Sequence, residues 1–242
     1  MSAQQSLYIK SIKLDREHPH EDSYAYHIPV LSGFEELRIS KPVTFFAGEN
    51  GMGKSTLLEA IAAAYGFNAE GGTKNFHFAS KETHSELYRS ILLAKGTKKS
   101  NDGFFLRAES FYNVATEIDR LDVGEYYGGK SLHSQSHGES FLSLVLNRFG
   151  GNGLYLLDEP EAALSVQSQL ALLGRMDALV KCNSQFIIAT HSPILLAYPD
   201  ADIYVFNENG ITKTPYKETE AYTLSKQFLD QPERIMRYLF ES

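Results

Sequence analysis

Cysteine is almost absent from this sequence: Cys182 is the single one in 242 residues. That excludes an internal disulfide framework and a zinc site built from cysteines, and it suits a reducing compartment. Long apolar runs are absent too. No stretch approaches the roughly 20 apolar residues that cross a bilayer. The opening MSAQQSLYIKSIKLD has no continuous apolar core of the signal-peptide kind. The expectation is a cytoplasmic protein with no direct membrane insertion. Positive charge is in deficit, with 23 Lys and Arg against 30 Asp and Glu, a net −7. Phosphate neutralisation dominates non-specific nucleic-acid binding, so any contact with nucleic acid is expected to be weak and local. Lys95, Lys98 and Lys99 form a small basic cluster that reads as a solvated turn. There is no repeat, heptad run or low-complexity linker. A single domain over residues 1–242 is the economical reading, with room for a substantial core.

What is present is an alternation of apolar runs and helical patterns. LYIKSIKL (7–14) and SYAYHIPV (23–30) alternate like strands, with the polar DREHPHED between them. PVTFFAG (42–48) suits a buried central strand. From Ser55 the pattern turns helical and stops near Gly66. A helix or strand is expected around 86–94, and a strand in GFFLRAESF (103–111). Then come a helix in ESFLSLVLNRF (139–149), a strand in GLYLLDE (153–159) and a long helix in LSVQSQLALLGRMDALV (164–180). The strand QFIIATHS (185–192), a strand pair around IYVFNENGITKTP and two short C-terminal helices complete the chain. Strands alternating with helices imply an α/β fold with a mainly parallel, doubly wound sheet.

Chemistry concentrates in GENGMGKST. Gly48, Gly53, Lys54 and Ser55 satisfy G-x-x-x-x-G-K-[ST], the phosphate-binding loop of P-loop NTPases. Glycines let the loop turn its backbone N–H groups inward on an anion, and the following helix presents its positive end to the same point. The candidate nucleotide-binding residues are Gly48, Glu49, Asn50, Gly51, Met52, Gly53, Lys54, Ser55 and Thr56. Lys54 would reach the β- and γ-phosphates, and Ser55 would hold magnesium. The loop needs an acidic magnesium partner at the end of another buried strand. LYLLDEPEAALS supplies Asp158, with Glu159 next to it as the group that orients or deprotonates the attacking water. IIATHSP places His191 after a further apolar strand, where an imidazole could contact the γ-phosphate or hold the water. Two histidine pairs, His18 with His20 and His133 with His137, lack third and fourth ligands at metal-site spacing, and the first reads as an exposed loop.

With these motifs in order, the chain resembles ATP-binding-cassette-type ATPases over roughly residues 34–206. Several implications follow from that resemblance. SQSHGES matches the family's second signature, which puts Ser136, Gly138 and Glu139 against nucleotide held by a second copy. His137 stands where a glycine is usual, and Glu139 where a glutamine is. AALS (162–165) matches the loop that crosses the dimer seam. Glu109, the last residue of GFFLRAE, falls at or near the place of a glutamine that contacts magnesium. An adenine-stacking aromatic could be Tyr24, Tyr26 or Phe34. The fold implied is a mainly parallel sheet with a small antiparallel β portion and a helical signature region. The cofactors implied are ATP and Mg2+.

The wording GENGMGKSTLLEAI, DEPEAALS and the C-terminal ETEAYTLSKQFLDQPERIMRYLF is similar to that of small stand-alone ATPases of the overcome-lysogeny-like and chromosome-maintenance-like branch. Chromosome-maintenance proteins insert long coiled coils that have no counterpart here. The expectation is an ATP-dependent homodimer acting as a switch or motor on an effector such as a nuclease or toxin, in phage defence or DNA metabolism. The alternatives are the ATP-binding subunit of a membrane transporter and a nucleotide-gated binding module with little turnover.

Overall fold

In the computed structural model of the protein, the described residues are 7–15, 30, 33–69, 71–73, 86–107, 111, 115, 116, 118 and 136–241. Among them two sheets form. The smaller is antiparallel and contains β1 (Ile9–Leu14), β2 (Glu36–Arg38) and β4 (Ile91–Lys95), in the order β2-β1-β4. The larger contains β3 (Val43–Gly48), β5 (Asp102–Arg107), β6 (Gly153–Asp158), β7 (Gln185–Ala189), β8 (Asp202–Asn207) and β9 (Gly210–Lys213). Its order is β5-β6-β7-β3-β8-β9. All neighbours are parallel except the last pair, a hairpin.

The central strands VTFFAG, GLYLLD and QFIIA are apolar almost throughout because both faces of the sheet are covered. Side chains alternate across it with the strand period. Phe46, Leu154, Leu156 and Ile187 face one way and pack with α1 (Lys54–Tyr65) and the small sheet. Phe45, Tyr155, Leu157 and Ile188 face the other way and pack with α2 (His137–Arg148) and α3 (Val166–Lys181). Fully burying a side chain of this kind contributes about 1.5–3 kcal/mol, so these two layers fix the strand ends that carry the chemistry. One buried polar residue ties the sheets together. Gln185 accepts from the backbone N–H of Tyr8 (2.7 Å) and Ile9 (3.0 Å) and donates to Ile9 O (2.9 Å).

α1 follows the expectation closely. It starts one residue early, at Lys54, and ends at Gly66, whose left-handed backbone (φ 104°) lets its N–H return to Ala62 and Ala63. The region 86–94 resolves into a 3-10 turn, Glu86–Ser90, followed by β4. The strand read over 23–30 lies outside the described residues except Val30, which is helical. After the one-turn α4 (Pro193–Leu196), β8 and β9, the chain ends in α5 (Glu220–Asp230) and α6 (Pro232–Glu241). No helix among the described residues is long and apolar enough to cross a membrane.

Candidate functional site

β3 delivers the loop. Its last residue, Gly48 (φ 128°), lies against β8, where a Cβ would meet the carbonyl oxygen of Phe206, so the position admits only glycine. Gly51 (φ 81°) and Gly53 (φ 86°) give the two further left-handed turns that bring the chain into α1. Lys54 is buried inside this loop. Its Nζ donates to the carbonyls of Gly48 (2.8 Å) and Glu49 (2.7 Å). Burial pushes the Lys54 ammonium below its ordinary range, and the charges of Glu159, Asp158, Glu161 and Glu49 pull in the other direction. Asn50 and Gly51 are exposed at the tip, while Met52 and Thr56 are half-buried.

β6 delivers the acids. The Ser55 hydroxyl donates to Asp158 Oδ1 at 2.8 Å, across 103 residues of sequence. Parallel register sets Asp158 beside Ala189 of β7 and Arg107 of β5. Arg107 was not singled out by its sequence. Its Nε lies 3.6 Å from Asp158 Oδ2 and its guanidinium donates to Glu59 Oε2 at 3.0 Å. One cation thus faces two nearly buried carboxylates, one of them on α1.

Glu159 takes a left-handed backbone (φ 48°) at the start of the 3-10 turn Pro160–Ala163. For a residue with a Cβ this conformation costs about 1–3 kcal/mol and is retained where the surroundings impose it. Here the imposition is visible: Glu159 N–H donates to Ala189 O (2.9 Å), which carries β6 pairing past its end. His191 Nε2 lies 3.5 Å from Glu159 Oε1. Its backbone N–H donates to Glu161 Oε1 (2.5 Å), a second positioning contact that the sequence did not suggest. Lys54, Ser55, Asp158, Glu159 and His191 therefore converge at the N-terminal end of α1. A cleft of about 660 Å³ opens beside them, bordered by Gly48, Glu49, Met52, His191 and the start of α5. That volume is in the range of small-ligand sites.

The donor chemistry fits magnesium. A hydroxyl and a carboxylate in contact are hard oxygen donors, and magnesium takes few protein ligands where phosphates and water supply the rest. Glu109 lies outside the described residues, as do Tyr24, Tyr26, His18, His20 and His133. Phe34 packs in the core on the small-sheet side and also borders a surface cavity with Glu208 and Asn209.

The signature segment forms the N-terminus of α2. Ser136 is its cap, and Glu139 returns its carboxylate to the Ser136 N–H (3.1 Å) and hydroxyl (2.7 Å) while its own N–H is accepted by Ser136 Oγ (3.4 Å). This is a capping box, worth about 1 kcal/mol at the cap. Both residues are exposed. Gly138 has a partner within its own chain: a Cβ there would lie 2.7 Å from the carbonyl oxygen of Ala163, in the turn that follows Asp158. The signature helix is thus docked on the segment AALS, and Ser165 of that segment caps α3 by accepting from Ser168 N–H.

A family model described as an AAA domain matches residues 26–120. No curated protein matches the chain. Among solved structures, cbiO1 from Clostridium perfringens, part of the ABC transporter complex cbiONQ, is similar at 20% identity. It covers 98% of this chain and 100% of its own, with a TM-score of 0.51. A protein described as a metal-chelate type ABC transporter, in an inward-facing conformation, is similar at 16% identity, covering 91% of this chain and 88% of its own, with a TM-score of 0.50. The SMC head domain from Thermotoga maritima matches at 15% identity over 86% of this chain and 100% of its own, with a TM-score of 0.48. The chain has the α/β fold of an ATP-binding-cassette-type P-loop ATPase.

Proposed function

We propose that this protein binds magnesium-ATP and hydrolyses it, and that two copies close head to tail over the nucleotide to switch a partner protein. The observation that carries the proposal is the Ser55–Asp158 contact at 2.8 Å, at the mouth of a glycine loop wrapped around Lys54. Backbone N–H groups from Glu49 to Thr56, with the positive end of α1, hold the phosphates. Lys54 leaves the carbonyls of Gly48 and Glu49 to meet the β- and γ-phosphates. Ser55 and Asp158 hold magnesium, with Glu109 as a further candidate ligand. When bound, that ion neutralises charge that builds up on the transferred phosphoryl group. Glu159 orients and deprotonates the attacking water, and His191, placed beside it, holds the water or the γ-phosphate.

The shared site rests on α2. Ser136 and Glu139 at its N-terminus are exposed, while Gly138 is docked on the turn after Asp158, so the helix end faces outward from its own chain. A helix end of this kind is suited to nucleotide held by a second copy. Differential affinity of ATP for the closed form then drives closure. The protein acts as one domain in the cytoplasm on an effector such as a nuclease or toxin, with at most weak contact to nucleic acid. Two of the similar solved structures come from transporters, and co-purification of a membrane permease would move the proposal to a transporter subunit.

Titration calorimetry and phosphate release test the site. Lys54→Ala should weaken magnesium-ATP binding by about a hundredfold or more, since it removes charge-assisted bonds worth roughly 1.5–3 kcal/mol each. Glu159→Gln should keep the affinity and lose turnover. Unchanged affinity in the first variant, or unchanged turnover in the second, would overturn the assignment.

A further inference from the structure

The ends of β6 and β7 are joined by more than the sheet ladder. Glu159 N–H reaches Ala189 O at 2.9 Å, His191 Nε2 lies 3.5 Å from Glu159 Oε1, and Glu161 Oε1 accepts from His191 N–H at 2.5 Å. The first tie continues the strand pairing, and the second places two reacting side chains. The last commits a carboxylate to a single backbone N–H, and no step of the hydrolysis uses it.

A glutamate is a costly residue for that place. Glu161 is half-buried, and its Oε2 is closed to solvent with no hydrogen-bond partner among the described residues. Its charge also acts on Lys54, where Asp158, Glu159 and Glu49 already act. A closed-off carboxylate oxygen without a partner costs the fold free energy, and such atoms call for a reason beyond packing. The residue is nevertheless held firmly. Pro160 before it is buried, Ala162 N–H returns to Glu159 O (3.0 Å), and Leu164 N–H returns to Glu161 O (3.0 Å).

What Glu161 holds is His191, whose neighbours are fixed by other parts of the fold. Thr190 N–H is accepted by Phe46 O (3.0 Å) and Ser192 N–H by Thr190 Oγ1 (3.0 Å). The Ser192 hydroxyl donates to Gln169 Oε1 (2.5 Å) and caps α4. Between these anchors Glu161 fixes the N–H of His191. Without that acceptor the part-buried N–H would turn toward water, since leaving it unpaired is costly, and the Cα that carries the imidazole would turn with it. We propose that Glu161 is a positioning residue: by holding the His191 backbone it aims the imidazole at Glu159 and at the attacking water or γ-phosphate. This rests on the hydrolytic reading of Glu159 and His191 given above.

Two measurements on the full chain test it, and the first needs no nucleotide. Hydrogen exchange at His191 N–H, followed by NMR with 15N-histidine, should be slow in the wild type. It should speed up by about tenfold or more in Glu161→Ala and stay slow in Glu161→Gln, which keeps an acceptor oxygen. The second is steady-state ATP turnover. Glu161→Ala should lower kcat by about ten- to a hundredfold with KM no higher than in the wild type, and Glu161→Gln should recover most of the loss. In a His191→Ala background, Glu161→Ala should change kcat by less than about twofold, because the group it positions is already gone. Exchange at His191 that is fast in the wild type, or indifferent to Glu161→Ala, would overturn the proposal. So would kcat losses that multiply in the double variant, or a Gln variant as impaired as the Ala one. A wild-type chain without turnover, or a His191→Ala chain with all of it, would instead overturn the hydrolytic reading on which the proposal stands.

Discussion

Replacing Arg107 by Met takes away the cation shared by Glu59 and Asp158, whose side chains are 13% and 8% exposed. At 3.0 and 3.6 Å, each attraction is about 5 kcal/mol at an effective dielectric of 20, before desolvation is counted. Breaking one buried pair costs roughly 3–5 kcal/mol in practice. Asp158 keeps the Ser55 hydroxyl, which reduces the loss. A net destabilisation of about 2–3 kcal/mol follows, equivalent to a fall of roughly 4–12 °C in melting temperature for a chain of this size. Calorimetry without nucleotide or magnesium reads the change. A double-mutant cycle with Glu59→Gln isolates the pair, and a coupling of at least about 1 kcal/mol is expected. Arg107→Lys keeps the charge but not the fork and should fall between wild type and Arg107→Met. Additive single and double variants would refute the Arg107–Glu59 pair, and a melting temperature unmoved by Arg107→Met would refute the shared cation altogether.

Gly138→Ala should destabilise the protein by about 1–3 kcal/mol, because its Cβ would lie 2.7 Å from a backbone oxygen that has little room to retreat; a neutral effect in urea unfolding would contradict the close docking of α2. His191→Ala should lower ATP turnover by on the order of 10² while nucleotide affinity holds, and equal losses in both would make it a binding residue instead. Acid should unfold the chain through Asp102 and Asp202. Burial alone would raise each carboxyl, but hydrogen bonds outweigh it, from Tyr155, Arg148 and Gly103 N–H for Asp102 and from Lys213 and Ser40 for Asp202, so both sit below the ordinary carboxylate range. A folded value below the unfolded one gives stability that is complete above pH ~4 and lost as pH falls through the folded values. Asp202→Asn should flatten that acid limb, and an unchanged slope in urea titrations between neutral and acid pH would count against it.

The loop and its acids were legible because their chemistry is contiguous. Gly48 to Ser55 carry their spacing with them, and Asp158 and Glu159 follow an apolar run that only a buried strand explains. Arg107 was not legible. It follows apolar residues in FFLR like any strand-end charge, and only the parallel register of β5 on β6 sets it beside Asp158. Glu161 meets the backbone of His191 for the same kind of reason, through strand ends brought level by the sheet. β2 is too short, at ELR, to show an alternation. The Ser136-x-x-Glu139 spacing is itself a capping-box signal, and the resemblance drew attention to phosphate instead. That α5 and α6 bury no side chain completely could not be read from periodicity, since apolar residues on a helix look the same whether they meet the core or the surface.

The shared site is tested most directly by joining two damaged chains. Lys54→Ala disables the loop, and Ser136→Arg sets a cation at the exposed end of α2, against its dipole, at a cap cost of about 1 kcal/mol. Each chain alone should release no phosphate from ATP above background. Mixed in equal amounts with magnesium-ATP, the two chains should recover about a quarter of the wild-type turnover, since half of the dimers are mixed and symmetry leaves one of their two sites whole. A mixture with no turnover, or a Ser136→Arg chain as active as wild type, would contradict the head-to-tail site.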